Sequence, residues 1–108
     1  MQYFIEGQIK NRAVVDCFVQ KLIKELGMNR LRNPYIDIKF VNKLDAFGLC
    51  DGDRDFARIE VAKKCPVTGR KLGFIEMMQT LAHEMVHARQ FIRGQLNNEN
   101  GWAWKGRN

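Results

Sequence analysis

The sequence lacks several features that define large classes of protein. No apolar run approaches the ~18 residues that a bilayer-spanning helix needs, so no membrane span is expected. The first seven residues lack the basic start and long apolar stretch of a secretory signal peptide. The 108 residues contain no Cys-x-x-Cys pair, and three widely spaced cysteines do not make a disulfide framework. These absences predict a single small domain over residues 1–108 in a reducing, cytoplasmic compartment.

The charge is positive overall and unevenly distributed. Eighteen Lys and Arg residues against twelve Asp and Glu residues give a formal net charge of +6. Residues 63–71 contain four basic residues and no acid, whereas residues 45–60 contain five acids and two arginines. Because positive surfaces attract polyanions, nucleic acid is a candidate partner. The alternative is a solvated basic face, since no base-reading motif accompanies the charge.

Periodicity predicts both helices and strands. Apolar residues at helical spacing predict helices over residues 12–26 and 72–93, and alternation predicts strands over Tyr35–Val41 and Phe56–Ala62. Shorter extended segments are expected at residues 3–5 and 46–50. The expected core stripe of the second helix consists of Ile75, Met78, Ala82, Met85 and Ile92. The order of helix, strands and helix predicts a two-layer α+β domain.

The second predicted helix contains the motif His-Glu-x-x-His at His83, Glu84 and His87, and these are the only two histidines in the chain. Four residues make about one helical turn, so both imidazoles project from one face and can bind one zinc ion. Glu84, turned by about 100°, can accept a proton from attacking water and pass it to a leaving amine. The motif therefore indicates zinc-dependent hydrolysis. The alternative is a pair of histidines that only pack on the helix.

The sequence Thr-Leu-Ala-His-Glu-Met-Val-His-Ala-Arg-Gln at residues 80–90 resembles the active-site helix of zincin metallopeptidases. It is most similar to the small SprT-like and phage-type, gluzincin-like metallopeptidases. The similarity includes the alternating strand before the helix, the continuation over residues 90–96 and a Trp-Lys-Gly at residues 104–106. It covers roughly residues 35–106. It implies a zinc-dependent peptidase with a minimal zincin core, in which a small, mostly antiparallel or mixed sheet packs on an N-terminal helix and the HExxH helix.

The resemblance also implies where a substrate binds. In that family, the last strand before the helix lies along the cleft and can pair with an extended substrate, a form of strand addition to a sheet edge. The matching segment here is Phe56–Ala62. It implies Phe56, Arg58, Ile59 and Glu60 as substrate-binding residues.

A catalytic zinc site usually has three protein ligands and a water molecule, but the motif supplies only two histidines. SprT-like proteins use a third histidine, which this sequence lacks, and phage-type relatives use an acidic residue on a later helix. The sequence ends two residues after Gly106, which leaves a truncated chain, a partial reading frame or a shortened protein as explanations.

Glu99 is the only acid after the motif and is the candidate third ligand, on ligand type alone. Cys50, Cys65 and Asp51 are weaker candidates, and a partner chain or water remains open.

Three functional hypotheses follow from the sequence. The first is a Zn²⁺-dependent metallopeptidase that hydrolyses peptide or protein substrates. The second is a basic protein that associates with nucleic acid. The third is a non-catalytic, metallopeptidase-like chain with an incomplete zinc site. None of the three involves a membrane.

Overall fold

The periodic segments of the sequence form the strands and helices of a computed structural model, which describes residues 1–94 and the backbone of residues 102–104. In chain order the elements are β1 (Gln2–Glu6), α1 (Arg12–Glu25), β2 (Tyr35–Val41), β3 (Gly48–Gly52), β4 (Phe56–Ala62), α2 (Phe74–Ile92) and β5 (Trp102–Trp104). The predicted α+β class is confirmed. Each predicted helix ends within two residues of its expected bounds.

The sheet is mixed. Its five strands lie in the order β1-β2-β4-β3-β5. β1 and β4 each pair with β2 in parallel, whereas β3 pairs antiparallel with both β4 and β5. The sheet therefore has a parallel side, formed by β1, β2 and β4, and an antiparallel side, formed by β4, β3 and β5.

The prediction that β4 is an edge strand is wrong. β4 lies between β2 and β3, and both neighbours pair with it along most of its length. Its backbone groups are therefore already used in the sheet, and Phe56, Arg58 and Glu60 cannot pair with an added peptide strand. Ile59 is fully buried in the core and is also excluded as a substrate contact.

The strand alternation predicts correctly which face of the sheet is buried. In β4, Ala57, Ile59 and Val61 are inaccessible to solvent, and they join a core with apolar residues of both helices. The opposite face of the sheet carries the half-buried and exposed side chains of β2 and β4. On it Tyr35 packs against the rings of Phe4 and Phe56, with ring centroids 6.1 and 5.8 Å away.

The buried face of α2 differs from the predicted stripe. Met78, Met85 and Ile92 are buried as expected, but Ile75 is 67% exposed and Ala82 is only half-buried. The helix packs on β3 and β4, and this contact buries the side that also carries Glu84. A stripe chosen for its apolar residues excludes Glu84, which is buried here. The prediction therefore places the buried face on a different side of α2 from the one observed.

Within the described residues, no helix is long and apolar enough to cross a membrane.

Candidate metal site

Helix α2 brings the two histidines together. The Nε2 atoms of His83 and His87 are 3.4 Å apart, and the ring centroids are 5.0 Å apart. Both side chains are half-buried. The expected one-turn juxtaposition of the two imidazoles is therefore present in the folded chain.

This separation suits a shared tetrahedral ion. Two nitrogen ligands at 2.0–2.1 Å from one zinc ion lie about 3.4 Å apart when the angle at the metal is tetrahedral. The two Nε2 atoms already have that spacing. The spacing of the two Nε2 atoms therefore fits a shared zinc ion.

Gln90 orients one of the rings. Its Oε1 atom lies 2.8 Å from Nδ1 of His87. An amide oxygen only accepts hydrogen bonds, so Nδ1 donates and Nε2 carries the lone pair in the neutral imidazole. Partners of this kind fix the tautomer of metal-binding histidines. Sequence reasoning did not assign this role to Gln90, although its i+3 spacing from His87 is a usable signal.

Glu84 is the most unusual side chain of the site. It is fully buried, and neither carboxylate oxygen has a hydrogen-bond partner within the described part of the chain. Burial raises the pKa of Glu84 from 4.5 to about 8. A buried acceptor of this kind is costly unless a proton or a cation satisfies it.

Gly48 on β3 makes room for this carboxylate. A Cβ atom at position 48 would lie 2.9 Å from Oε2 of Glu84 and 2.6 Å from Cγ2 of Thr80. Both distances are too short for real contacts, so a larger residue would force α2 or its side chains to move. Nothing in the sequence identifies Gly48 as part of the site, because the contact joins segments far apart in the chain.

The surroundings of the site disfavour its charged forms. The pKa of His83 is lowered, first by burial and then by the neighbouring His87. The pKa of the buried Cys50 thiol is raised, first by burial and then by Glu84 and Asp51. Neutral imidazoles are the form of histidine that binds a divalent cation, and a cation held by them would also favour the ionised form of the nearby Glu84 carboxylate.

The third ligand is not found among the described residues. Within residues 1–94, no third His, Cys, Asp or Glu side chain joins the histidine pair to form a metal-binding group. Cys50, Cys65 and Asp51 therefore do not complete the site in this arrangement. Glu99 lies outside the described residues.

Comparisons with known proteins add no relative to this description. No family model matches the chain, and neither a curated protein nor a solved structure is similar enough to count as a match.

Proposed function

We propose that the protein is a zinc-dependent metallopeptidase of the zincin type, which hydrolyses peptide bonds in peptide or protein substrates. The observation that supports this most is the 3.4 Å spacing of the His83 and His87 Nε2 atoms. The adjacent Glu84, buried and without a partner among the described residues, is the second support. Together they match the ligand pair and the base that the motif requires.

In this proposal each residue has a distinct role. His83 and His87 would hold the metal through Nε2, and Gln90 keeps the His87 ring in the required tautomer. A bound zinc ion supplies Lewis-acid chemistry that makes water nucleophilic near neutral pH. Glu84 accepts the proton of the attacking water and delivers a proton to the leaving amine. Burial raises the pKa of Glu84 to about 8 in the absence of a metal ion, and a bound cation would lower it again and so keep the carboxylate ionised and able to accept this proton.

The substrate cannot use β4, which is enclosed between two strands. We propose instead that an extended peptide approaches along the antiparallel side of the sheet, where β3 packs beneath α2 and β5 forms the outer strand. Backbone pairing at such an edge is a general mode of peptide recognition.

A non-catalytic chain is the second candidate, and one observation favours it. The described residues supply only two ligands, and a site with two protein ligands holds zinc weakly. Retention of zinc by the purified protein distinguishes this candidate from the peptidase.

We also propose a cytoplasmic location. Its support is that Cys17, Cys50 and Cys65 are all unpaired, as a reducing compartment requires. A fluorescent fusion that accumulated outside the cytoplasm would contradict it.

The deciding experiment measures zinc content and peptide cleavage on the same protein, purified without a histidine tag or chelator. We expect the wild type to retain zinc through dialysis and to cleave an unstructured protein such as casein. His83→Ala and His87→Ala should lose the zinc. Glu84→Gln should keep it but lose at least 100-fold in cleavage rate, since general bases typically contribute 10²–10⁴-fold.

Glu60→Gln is the matched control, because Glu60 lies half-buried on β4 outside the site. It should leave both zinc and cleavage unchanged. A wild type with no more zinc than the histidine variants would overturn the proposed metal site. Zinc that is lost on dialysis, together with no cleavage by the wild type, would favour the non-catalytic candidate, whereas stable zinc without cleavage would contradict the proposed peptidase activity.

A further inference from the structure

A second polar site lies away from the histidine pair, at the end of the parallel strands. It is a cavity of about 660 Å³ between the segment after β1, the residues that follow β2 and β4, and the start of α2. Its polar lining includes Lys10, Asn11, Asn42, Lys63, Lys64 and Lys71. We call this cavity the lysine cleft. Neither the histidines nor Glu84 contribute to it, so it is independent of the proposed peptidase site.

The backbone forces two of the lysines together. The Cys65 N–H donates to the Arg70 carbonyl at 2.7 Å, which closes a turn and places Lys64 directly opposite Lys71 in an antiparallel bridge. Like charges directly opposite one another destabilise a strand pair. The fold therefore retains an unfavourable arrangement that a bound anion would relieve.

The other two lysines are Lys63, which precedes Lys64, and Lys10, which comes from a distant part of the chain. The Lys63 N–H donates to the carbonyl of Val41 at 2.8 Å, which fixes the residue after β4 beside the end of β2. Lys10 comes from the segment between β1 and α1, and it is exposed. Two chain segments thus supply positive charge to one cavity, and the basic stretch 63–71 alone does not reveal the contribution of Lys10.

No carboxylate among residues 1–94 neutralises this charge. The residues that line the cleft include no Asp or Glu, and none of the four ammonium groups forms an ion pair with a described residue. Glu76 lies nearby in the chain, but its carboxylate pairs with Arg70 at 3.2 Å and accepts the Gly73 N–H at 3.4 Å. The cleft therefore presents uncompensated positive charge with amide groups at its rim.

We propose that the lysine cleft binds the phosphate groups of a linear polyanion, contacting several successive phosphates. Lysine ammonium groups bind phosphate as point charges and do not require one fixed orientation. The Asn11 and Asn42 amides can donate to further phosphate oxygens. The cleft lacks the glycine-rich loop that encloses a single nucleotide phosphate, which favours an extended ligand over a clamped one.

The test measures the binding of a fluorescently labelled twelve-nucleotide oligothymidylate to the full chain over a series of salt concentrations. The double variant Lys63→Gln and Lys71→Gln removes two of the four charges. Its matched control is Lys21→Gln and Lys24→Gln, which removes two exposed charges of α1. Lys10→Gln is a further single variant at an exposed position, in case the first double variant does not fold by circular dichroism.

Four phosphate contacts predict a slope of log K against log salt of roughly −3, at about −0.7 for each contact on single strands. We expect the cleft double variant to weaken binding at least tenfold and to reduce the magnitude of the slope by about 1.4. The α1 control should change both quantities much less. Lys10→Gln should reduce the slope by about 0.7.

Competition identifies the source of the phosphates. Inorganic tripolyphosphate that displaces the oligonucleotide at equal charge would indicate a site for polyphosphate chains, and weak displacement would indicate a nucleic acid strand. Either result supports the cleft. Equal losses of oligonucleotide affinity in the cleft and α1 variants would overturn the proposal, because net charge alone would then explain the binding. Tighter binding of polyglutamate than of both phosphate ligands would also overturn it.

Discussion

The parallel and antiparallel sides of the sheet bury different chemistry. On the parallel side, Ile38 lies between Ile5 of β1 and Ile59 of β4 in a fully apolar row. On the antiparallel side, Gly48 of β3 lies against Glu84, whose carboxylate has no partner among the described residues. The first side stabilises the fold by ordinary burial. The second retains a costly buried group, a pattern that is typical of functional sites.

The largest effect is expected on the apolar side. Ile38→Ala removes a fully buried side chain from the middle of the sheet and leaves a cavity. We expect the free energy of unfolding to fall by about 2–5 kcal/mol. Urea denaturation followed by circular dichroism measures this loss. The exposed neighbour Lys39→Ala should change stability by no more than about 0.5 kcal/mol, and an equal loss in both variants would contradict the assignment of the core.

The next effect concerns pH on the antiparallel side and is measured on metal-free protein. The pKa of Glu84 is about 8 when folded, against a reference value of 4.5. Between these values the folded state holds a proton that the unfolded state has released, so stability falls as pH rises. The stability that this proton uptake adds to the folded state is fully present below pH 4.5 and is lost as the pH rises through 8. The loss in the free energy of unfolding is on the order of a few kcal/mol.

Glu84→Gln removes this titration and provides the comparison. The stability of the variant, relative to the wild type, should therefore increase as pH rises over the same interval. His83 has a lowered pKa and contributes the opposite slope below pH 6.5, but it is present in both proteins and largely cancels in the difference. Parallel pH profiles for the two proteins would show that Glu84 is not buried as described.

The smallest effect tests the close contact between β3 and α2. Gly48→Ala places a methyl group 2.6 Å from Cγ2 of Thr80, so we expect a loss of about 1–3 kcal/mol from overpacking. Thr80→Ser removes that methyl group but keeps the hydroxyl that donates to the Glu76 carbonyl. The double variant should therefore recover part of the stability lost by Gly48→Ala. A double-mutant cycle with no coupling would contradict the contact.

Local sequence pattern determined much of this protein. The alternation in Tyr35–Val41 and Phe56–Ala62 predicted two strands and their buried faces, because side chains alternate strictly along a strand. The one-turn spacing of His83 and His87 predicted the imidazole pair, because helical geometry fixes the distance between residues four apart. These features depend only on the backbone period and the order of residues.

The tertiary structure decided the features that join distant segments. It placed β4 inside the sheet and not at its edge, buried the Glu84 side of α2 against Gly48, and brought Lys10 to the lysines that follow β4. Strand order and helix rotation depend on the packing energy of the whole core, to which residues far apart in the chain contribute together. For that reason the sequence alone identified the two histidines and the glutamate, but only the fold shows which residues surround them.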